Sequence, residues 1–399
     1  MSHSRLPSGP LSGIRVLDLT QFILGPVATQ ILGDCGADVI KIESPGGDLN
    51  RKIGPSRHPD MAAMFLGMNR NKRSVVLDLR RPDALEALGR MIAEADVFVH
   101  STRQQSAERL GVGYSAVAAI NPRIVYAFAP GYRQDGPYRD RPAYDDVIQG
   151  ESGIAGITQL SLGEPRYFPM VIADKFCGYV LASAISMALL HRERTGEGQQ
   201  VQVPMLETMM SFNLIEHLWA GAFDEPSGEL GYDRALMPHR KPFATRDGHV
   251  CLMVTSDEQW QRLFDSFGRP ELGRDSRFST VAERSNRFPE LYQLVAEEMS
   301  RRTTAQWRSL FEVADIPHGV VRALRDLPTD SYLTETGFFH RYAHPQAGPM
   351  VTPSIPVSFS RSPASIRRTP PTLGEHTSEI LSGMGYNEEQ IIKMSGKGG

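Results

Sequence analysis

Asp174 is the acid in this chain best placed to do covalent chemistry. It is the only carboxylate in a long apolar stretch, Phe168-Pro-Met-Val-Ile-Ala-Asp174-Lys-Phe-Cys-Gly-Tyr-Val-Leu-Ala182, immediately ahead of a helix-like run. A carboxylate so placed can attack a carbonyl carbon as a nucleophile. It can equally be an N-cap, accepting hydrogen bonds from the free N–H groups of a first helical turn. The local sequence leaves both readings open. From Phe176 to Leu190 the run is apolar on nearly every face, with charge deferred to His191-Arg-Glu-Arg194 and a stop at Gly196. Such a helix is expected to be buried. The positive end of its dipole favours an anion at Asp174, and low-dielectric surroundings disfavour it.

Other chemistry-bearing patterns are weaker. Gly111-Val-Gly113-Tyr-Ser-Ala116 fits a loose dinucleotide fingerprint, but no strand precedes it and no acid lies suitably downstream. His340 and His344 are four apart, yet no glutamate lies between them and Pro345 follows, so a zinc helix is not expected. No metal site is anticipated anywhere. Cys35, Cys177 and Cys251 are odd in number, far apart and in apolar contexts, which predicts reduced core residues. No Gly-x-Ser-x-Gly elbow, phosphate-loop lysine or Cys-x-x-Cys pair occurs.

The elements that must position Asp174 alternate between strand and helix. Ile14 to Leu19, Asp38 to Glu43, Ser74 to Leu79, Asp96 to His100 and Arg123 to Phe128 have strand character. Helices are expected from Pro26 to Asp34 and from Arg81 to Ala95. Right-handed crossovers at this spacing give an α/β fold with a doubly wound, Rossmann-like parallel sheet. Its ligands bind beyond the carboxyl ends of the strands, in the loops that start at Gln21, Ser44, Arg80, Ser101 and Pro130.

The chain changes character near residue 220. Phe223 to Gly231 has linker composition, and the strand and helix patterns from His249 to Ala323 suggest a smaller α+β domain. Six prolines between Pro349 and Pro371 suggest an extended connector rather than a packed element. Short helices at Thr377 to Met384 and Asn387 to Met394 are expected to dock back on the large domain. The expected division is therefore 1–222, 223–348 and 349–399.

With 399 residues, 41% hydrophobic and 22% charged, the chain can bury about three quarters of its unfolded surface. A net charge of −3 gives no long-range pull toward nucleic acid or an anionic membrane, so neither is an expected partner. The first ten residues lack a signal-like apolar core, and a cytoplasmic protein is expected.

Several landmarks together resemble the family III coenzyme A transferases, the CaiB/BaiF family. They are Leu11-Ser-Gly-Ile-Arg-Val-Leu-Asp-Leu-Thr20 with Leu24-Gly-Pro26, Gly36-Ala-Asp-Val-Ile-Lys-Ile-Glu43, Asn71-Lys-Arg-Ser-Val-Val-Leu-Asp-Leu79 and Ala95-Asp-Val-Phe-Val99. Glu108-Arg-Leu-Gly111, Asn121-Pro-Arg123, Gly136-Pro137, Tyr144-Asp145, Thr195-Gly-Glu-Gly-Gln199 and Leu373-Gly-Glu-His-Thr377 extend the likeness nearly end to end.

The resemblance implies an acyl-CoA:carboxylate CoA-transferase. Asp174 would be its covalent nucleophile, moving coenzyme A from a succinyl-CoA-like donor to a small carboxylic acid through an aspartyl-CoA intermediate. It further implies coenzyme A contacts at Leu24, Leu77, Leu79, Arg80, Ser101, Arg109, Tyr144 and Asp145, no tightly bound cofactor, and an interlocked homodimer. Arg80 and Arg109 would meet phosphates. Alternatives are an acyl-CoA racemase of the same fold, or a non-catalytic CoA-binding protein. Racemases carry a histidine where this chain has Ala143-Tyr-Asp-Asp-Val147, which favours transfer.

The chain also departs from the family pattern. His100-Ser-Thr-Arg-Gln-Gln105 replaces the usual Glu-Asn-Phe-Arg-Pro-Gly, and Ser44 replaces a basic residue of formyl-transferring members. Met237-Pro-His-Arg-Lys-Pro242 stands where those members have a glycine-run loop, so His239, Arg240 and Lys241 are candidates to meet an acceptor carboxylate.

Overall fold

The computed structural model describes residues 9–225 and 228–396. Residues 1–8 and residues 226–227, the latter inside the expected linker, lie outside the described residues.

A six-stranded parallel sheet forms the first of two compact units. Its strands are β1 (Arg15–Leu19), β2 (Asp38–Glu43), β3 (Lys72–Val76), β4 (Val97–His100), β5 (Val125–Phe128) and β6 (Gln199–Gln202). Their order is β3-β2-β1-β4-β5-β6, so the strand sequence reverses between β1 and β4. Every pairing is parallel. Strands β4 and β5 are buried along their whole length, which explains why they read as continuous apolar runs rather than alternating ones.

Helices cover both faces. On one face α1 (Leu24–Asp34) and the later α4 (Ile172–Thr195) pack with Val16, Val97, Val99, Val125 and Ala127. On the other, α2 (Pro82–Ala93) packs with Leu17, Ile40, Phe98 and Phe128. A short helix α3 (Asp145–Glu151) lies between them in the chain. The doubly wound α/β fold is as anticipated. So is the return of the C-terminus: Leu381, Ile391 and Met394, from the helices Thr377–Gly383 and Glu388–Met394, join the second face.

Two expectations need correction. Helix α4 is not buried all round, since Tyr179, Met187 and Leu190 are more than half exposed. Its 24 residues are long and apolar enough to cross a membrane by composition, yet its inner side is part of the core formed with α1. The proline-rich stretch, in turn, is tied down. Its head, the strand Gly348–Pro353, pairs antiparallel with the strand Phe339–His344, so His340 and His344 lie on a strand. Its far end is clamped by Asn71, whose Oδ1 accepts the N–H groups of Arg367 and Arg368 at 2.6 and 3.0 Å while its Nδ2 donates to Asp34 and Ser365.

The second unit comprises residues 156–166 and 214–331. Its three-stranded sheet, Phe243–Ala244, His249–Leu252 and His318–Val320, is antiparallel. Trp260, Phe264, Leu291, Trp307 and Phe311 form a separate core there. Cys251 is exposed on the middle strand, against the expectation of a core residue, because strand alternation turns it away from the buried Val250. Cys177 is buried as expected and Cys35 is partly buried.

Candidate functional site

The reversal of strand order between β1 and β4 opens a crevice at the carboxyl ends of the strands. The loop after β1 (Gln21, Phe22), the loop after β4 (Ser101 to Gln104), the loop after β5 (Ala129 to Gly131) and residues 139–144 surround a cleft of about 980 Å³, part of it open to solvent. Asp174, Leu181 and Met205 complete its lining.

Asp174 is not the cap of its helix. α4 begins two residues earlier, its cap position is Val171, and Val171 makes no side-chain cap hydrogen bond. The reason is a tight turn just upstream, where Met170 N–H donates to Phe168 O at 2.6 Å and Ile172 N–H to Met170 O at 2.8 Å. The capping acceptor comes from another helix. Asp145, on α3, accepts the backbone N–H of Asp174 through Oδ1 at 3.0 Å. Gln149, one turn along α3, donates to Asp145 Oδ2 at 2.6 Å and to Met170 O at 3.1 Å, and accepts the Phe168 N–H at 2.8 Å. One face of α3 therefore stitches the start of α4 in place.

This arrangement sets the acidity of Asp174. Among the described residues no donor hydrogen-bonds to its carboxylate, and no cation pairs with it. Burial, followed by the negative charge of Asp145, pushes its pKa up to about 7. The first-turn position on α4 favours the anion, but that effect is worth less than the lost hydration. Cys177, next along the helix, is driven to about 12 by burial and then by the two aspartates, so it stays a thiol.

Of the sequence candidates, Leu24, Ser101, Tyr144 and Asp174 line this cleft, and Asp145 touches it through Asp174. Tyr144 is 63% exposed, with its ring edge-on to Phe22 at 5.6 Å. Ser101 Oγ accepts the Gln21 N–H at 2.9 Å. Leu77, Leu79 and Arg80 line a neighbouring cavity with Ser44, and Gln21 and Thr102 border both. Arg80 is held bidentate by Asp78 at 2.8 and 2.9 Å, its side chain 84% exposed. Arg109 lines neither cavity; it is exposed and donates to Ser106 Oγ at 3.1 Å. His239, Arg240 and Lys241 form a turn in the second unit.

Sequence reasoning missed Phe22, Gln149, Arg139 and Arg141. Phe22 adopts a left-handed φ of 62°, held by Asp48, which accepts its N–H, and by Asn50, which donates to its carbonyl. Strain of that kind costs about 1–3 kcal/mol and persists where surroundings fix it. Only the Asp145 to Gln149 spacing on one helix face carried any local signal. Among the described residues no group of three or more His, Cys, Asp or Glu could hold a metal.

The doubly wound sheet thus places an unpaired carboxylate in the crevice at its switch point, where sheets of this class bind ligands. Comparison with known proteins makes the class specific: residues 11–377 match CoA-transferase family III, and the chain belongs to that family. It is 32% identical to the succinyl-CoA:glutarate CoA-transferase of Mus musculus, over 96% of this chain and 89% of that protein. It is 31% identical to the succinate–glutarate CoA-transferase of Agrobacterium fabrum, covering 94% and 95%. Among solved structures, a CAIB/BAIF family protein from Brucella suis superposes with a TM-score of 0.80 at 29% identity, covering 94% of this chain and all of that one. The chain is thus a CoA-transferase family enzyme whose substrates include CoA thioesters.

Proposed function

We propose that this protein moves coenzyme A from a succinyl-CoA-like donor to a small carboxylic acid, with Asp174 as the covalent nucleophile. The observation that carries the reading is the Asp174 carboxyl on the cleft wall, unpaired and shifted to about 7. A carboxylate made more basic by burial is a stronger nucleophile once ionised, and near neutral pH about half of it is ionised.

In the first step an Asp174 oxygen attacks the donor's thioester carbonyl. The C–S bond breaks and coenzyme A leaves as a thiolate, giving a mixed anhydride. The thiolate then attacks the Asp174 carbonyl carbon, releasing the donor acid and forming an aspartyl-CoA thioester. The acceptor carboxylate attacks that thioester, and the expelled thiolate attacks the acyl carbon of the new anhydride, regenerating Asp174. Each step passes through an oxyanion, which backbone N–H groups of the glycine-bearing loops can stabilise. Asp145 holds the nucleophile's backbone and keeps its carboxylate basic.

The experiment is incubation with succinyl-CoA and glutarate, followed by hydroxylamine trapping and peptide mass spectrometry. A hydroxamate at Asp174 is expected; turnover without it would sink the covalent reading, and racemisation of a 2-methylacyl-CoA without acceptor would establish the rival activity. The exposed apolar side of α4, with Tyr179, Met187 and Leu190, supports a homodimer. Light scattering at micromolar concentration is expected to give twice the mass of one chain.

A further inference from the structure

Three arginines and one carboxylate line the Asp174 cleft, and the reaction above uses only the carboxylate. The arginines differ in what already occupies them. Arg139 is paired with Asp140 at 3.4 Å. Arg103 follows Thr102, which borders the neighbouring cavity of Arg80 as well, so it stands at the boundary of the two. Arg141 has no acidic partner among the described residues. Its guanidinium lies over the ring of Tyr138, 3.7 Å from the centroid. Stacking uses the flat face of a guanidinium and leaves its N–H rim free for an anion.

The segment that carries Arg141 is tied down at several points. The Arg141 N–H donates to Tyr138 O at 2.9 Å, and Tyr138 meets the buried Tyr132 edge-on at 5.6 Å. Gln134 Nε2 donates to the carbonyls of Tyr132 and Arg139 at 2.9 and 3.3 Å. A Cβ at Gly131 would collide with that of Ala143, so the loop after β5 approaches this segment at a place that only glycine allows. The cation is thereby oriented before any ligand arrives, which lowers the cost of binding one.

We propose that Arg141 is the specificity-determining residue for the acceptor, pairing with the far carboxylate of a dicarboxylate whose near carboxylate reacts at Asp174. The inference rests on the reading of the cleft as the site of CoA transfer. In that reaction the near carboxylate becomes a thioester and loses its charge, whereas the far one keeps its charge at every step. A fixed cation on the wall can hold it throughout, and the planar fork of arginine matches a carboxylate with two parallel bonds. An acid ending in a methyl group forfeits that pair and leaves the guanidinium facing an apolar end. The far end of the donor's acyl group takes the same place, because donor and acceptor acids occupy the position in turn.

The test measures kcat/KM for glutarate and for pentanoate, which has a methyl where glutarate has its second carboxylate, with succinyl-CoA as donor. Wild type, Arg141→Lys and Arg141→Leu are compared, and the acyl-CoA products are separated by chromatography. Wild type is expected to favour glutarate by about thirtyfold, the worth of one charge-assisted pair. Arg141→Leu is expected to lose about thirtyfold with glutarate and to keep pentanoate within about threefold, with Arg141→Lys falling between for glutarate. Both acids are measured in the same protein against the same donor. A loss of folded protein or of CoA binding therefore lowers both alike and leaves their ratio unmoved. Equal use of the two acids by wild type, or a ratio unchanged in Arg141→Leu, would overturn the assignment. Transfer from succinyl-CoA to neither acid by wild type would instead remove the transferase reading on which it rests.

Discussion

Asp18 and Asp174 are both aspartates of the first unit, each set among apolar residues, and their surroundings drive their acidities in opposite directions. Burial raises the pKa of Asp18, but Lys72 and Lys41, with the hydroxyls of Thr20 and Thr29, outweigh it and bring the group down to about 2. Lys72 Nζ lies 3.0 Å from Asp18 Oδ2, Thr29 donates at 2.7 Å and the Thr20 N–H at 2.9 Å. Lys72 itself is lowered by burial to about 8 despite Asp18, so the pair is ionised throughout the neutral range. Asp174 has the burial without the cations, and the charge that adds to its shift is that of another carboxylate, Asp145. Desolvation makes an acid reactive only when nothing else saturates its lone pairs. The first aspartate is a structural anion that holds β1, β3 and α1 together; the second is free to form a bond.

Exchanging what each residue contributes should produce separable defects. The largest effect is expected from Asp174→Ala, which should lower kcat for transfer at least about 10⁴-fold while leaving the melting temperature near the wild-type value. Asp18→Asn is expected to do the reverse. Removing one partner strands the Lys72 charge and should cost about 3–5 kcal/mol in urea unfolding, with kcat per folded molecule changed little. Loss of activity without loss of stability in Asp18→Asn would break the contrast.

A smaller effect separates Asp174 from its neighbour. On the proposed mechanism the ionised Asp174 carboxylate attacks, so log kcat/KM for wild type should rise with pH and level off near 7. Asp145→Asn, which deletes the like charge, should move that midpoint down by about one unit. An unchanged midpoint would show that burial alone sets it.

The smallest expected effect is on stability. A carboxyl whose folded pKa is raised destabilises the fold increasingly as pH climbs from about 4 to about 7, since the unfolded chain ionises more readily. Asp174→Asn should therefore stabilise the protein at pH 8 by about 1–2 kcal/mol, after allowing for the partial exposure of the site, and by nothing at pH 4. Thermal melts at the two pH values read this directly.

Much of the scaffold was legible because its signals are local. Asp38 to Glu43 is a strand at both of the residues where its apolar run suggested, and the crevice residues Leu24, Ser101 and Tyr144 sit where strand ends aim their loops. The role of Asp174 at the helix start was not. A carboxylate before an apolar run signals a cap, whereas the true start depends on a turn at Met170 and on Asp145, 29 residues away in sequence. The exposed outer side of α4 was hidden for a related reason, since apolar residues all round a helix do not say which neighbour is supplied by the same chain. The hairpin Phe339–Pro353 went unseen because its prolines, Pro349 and Pro353, usually argue against a strand and are tolerated on a two-stranded ribbon.

Gly178 stands four residues after Asp174 on α4, and a Cβ there would come within 2.7 Å of the Leu24 carbonyl oxygen. Mechanically, that contact is a stop. Helix α4 rests against α1 at a depth that only a missing side chain permits, and Asp174 rides about one turn above the point of contact, on the same side of the helix. The reach of the Asp174 carboxyl into the cleft is thus set from outside the cleft. One added methyl at Gly178 is expected to lever the start of α4 outward and so shift Asp174 without changing any residue that lines the cleft.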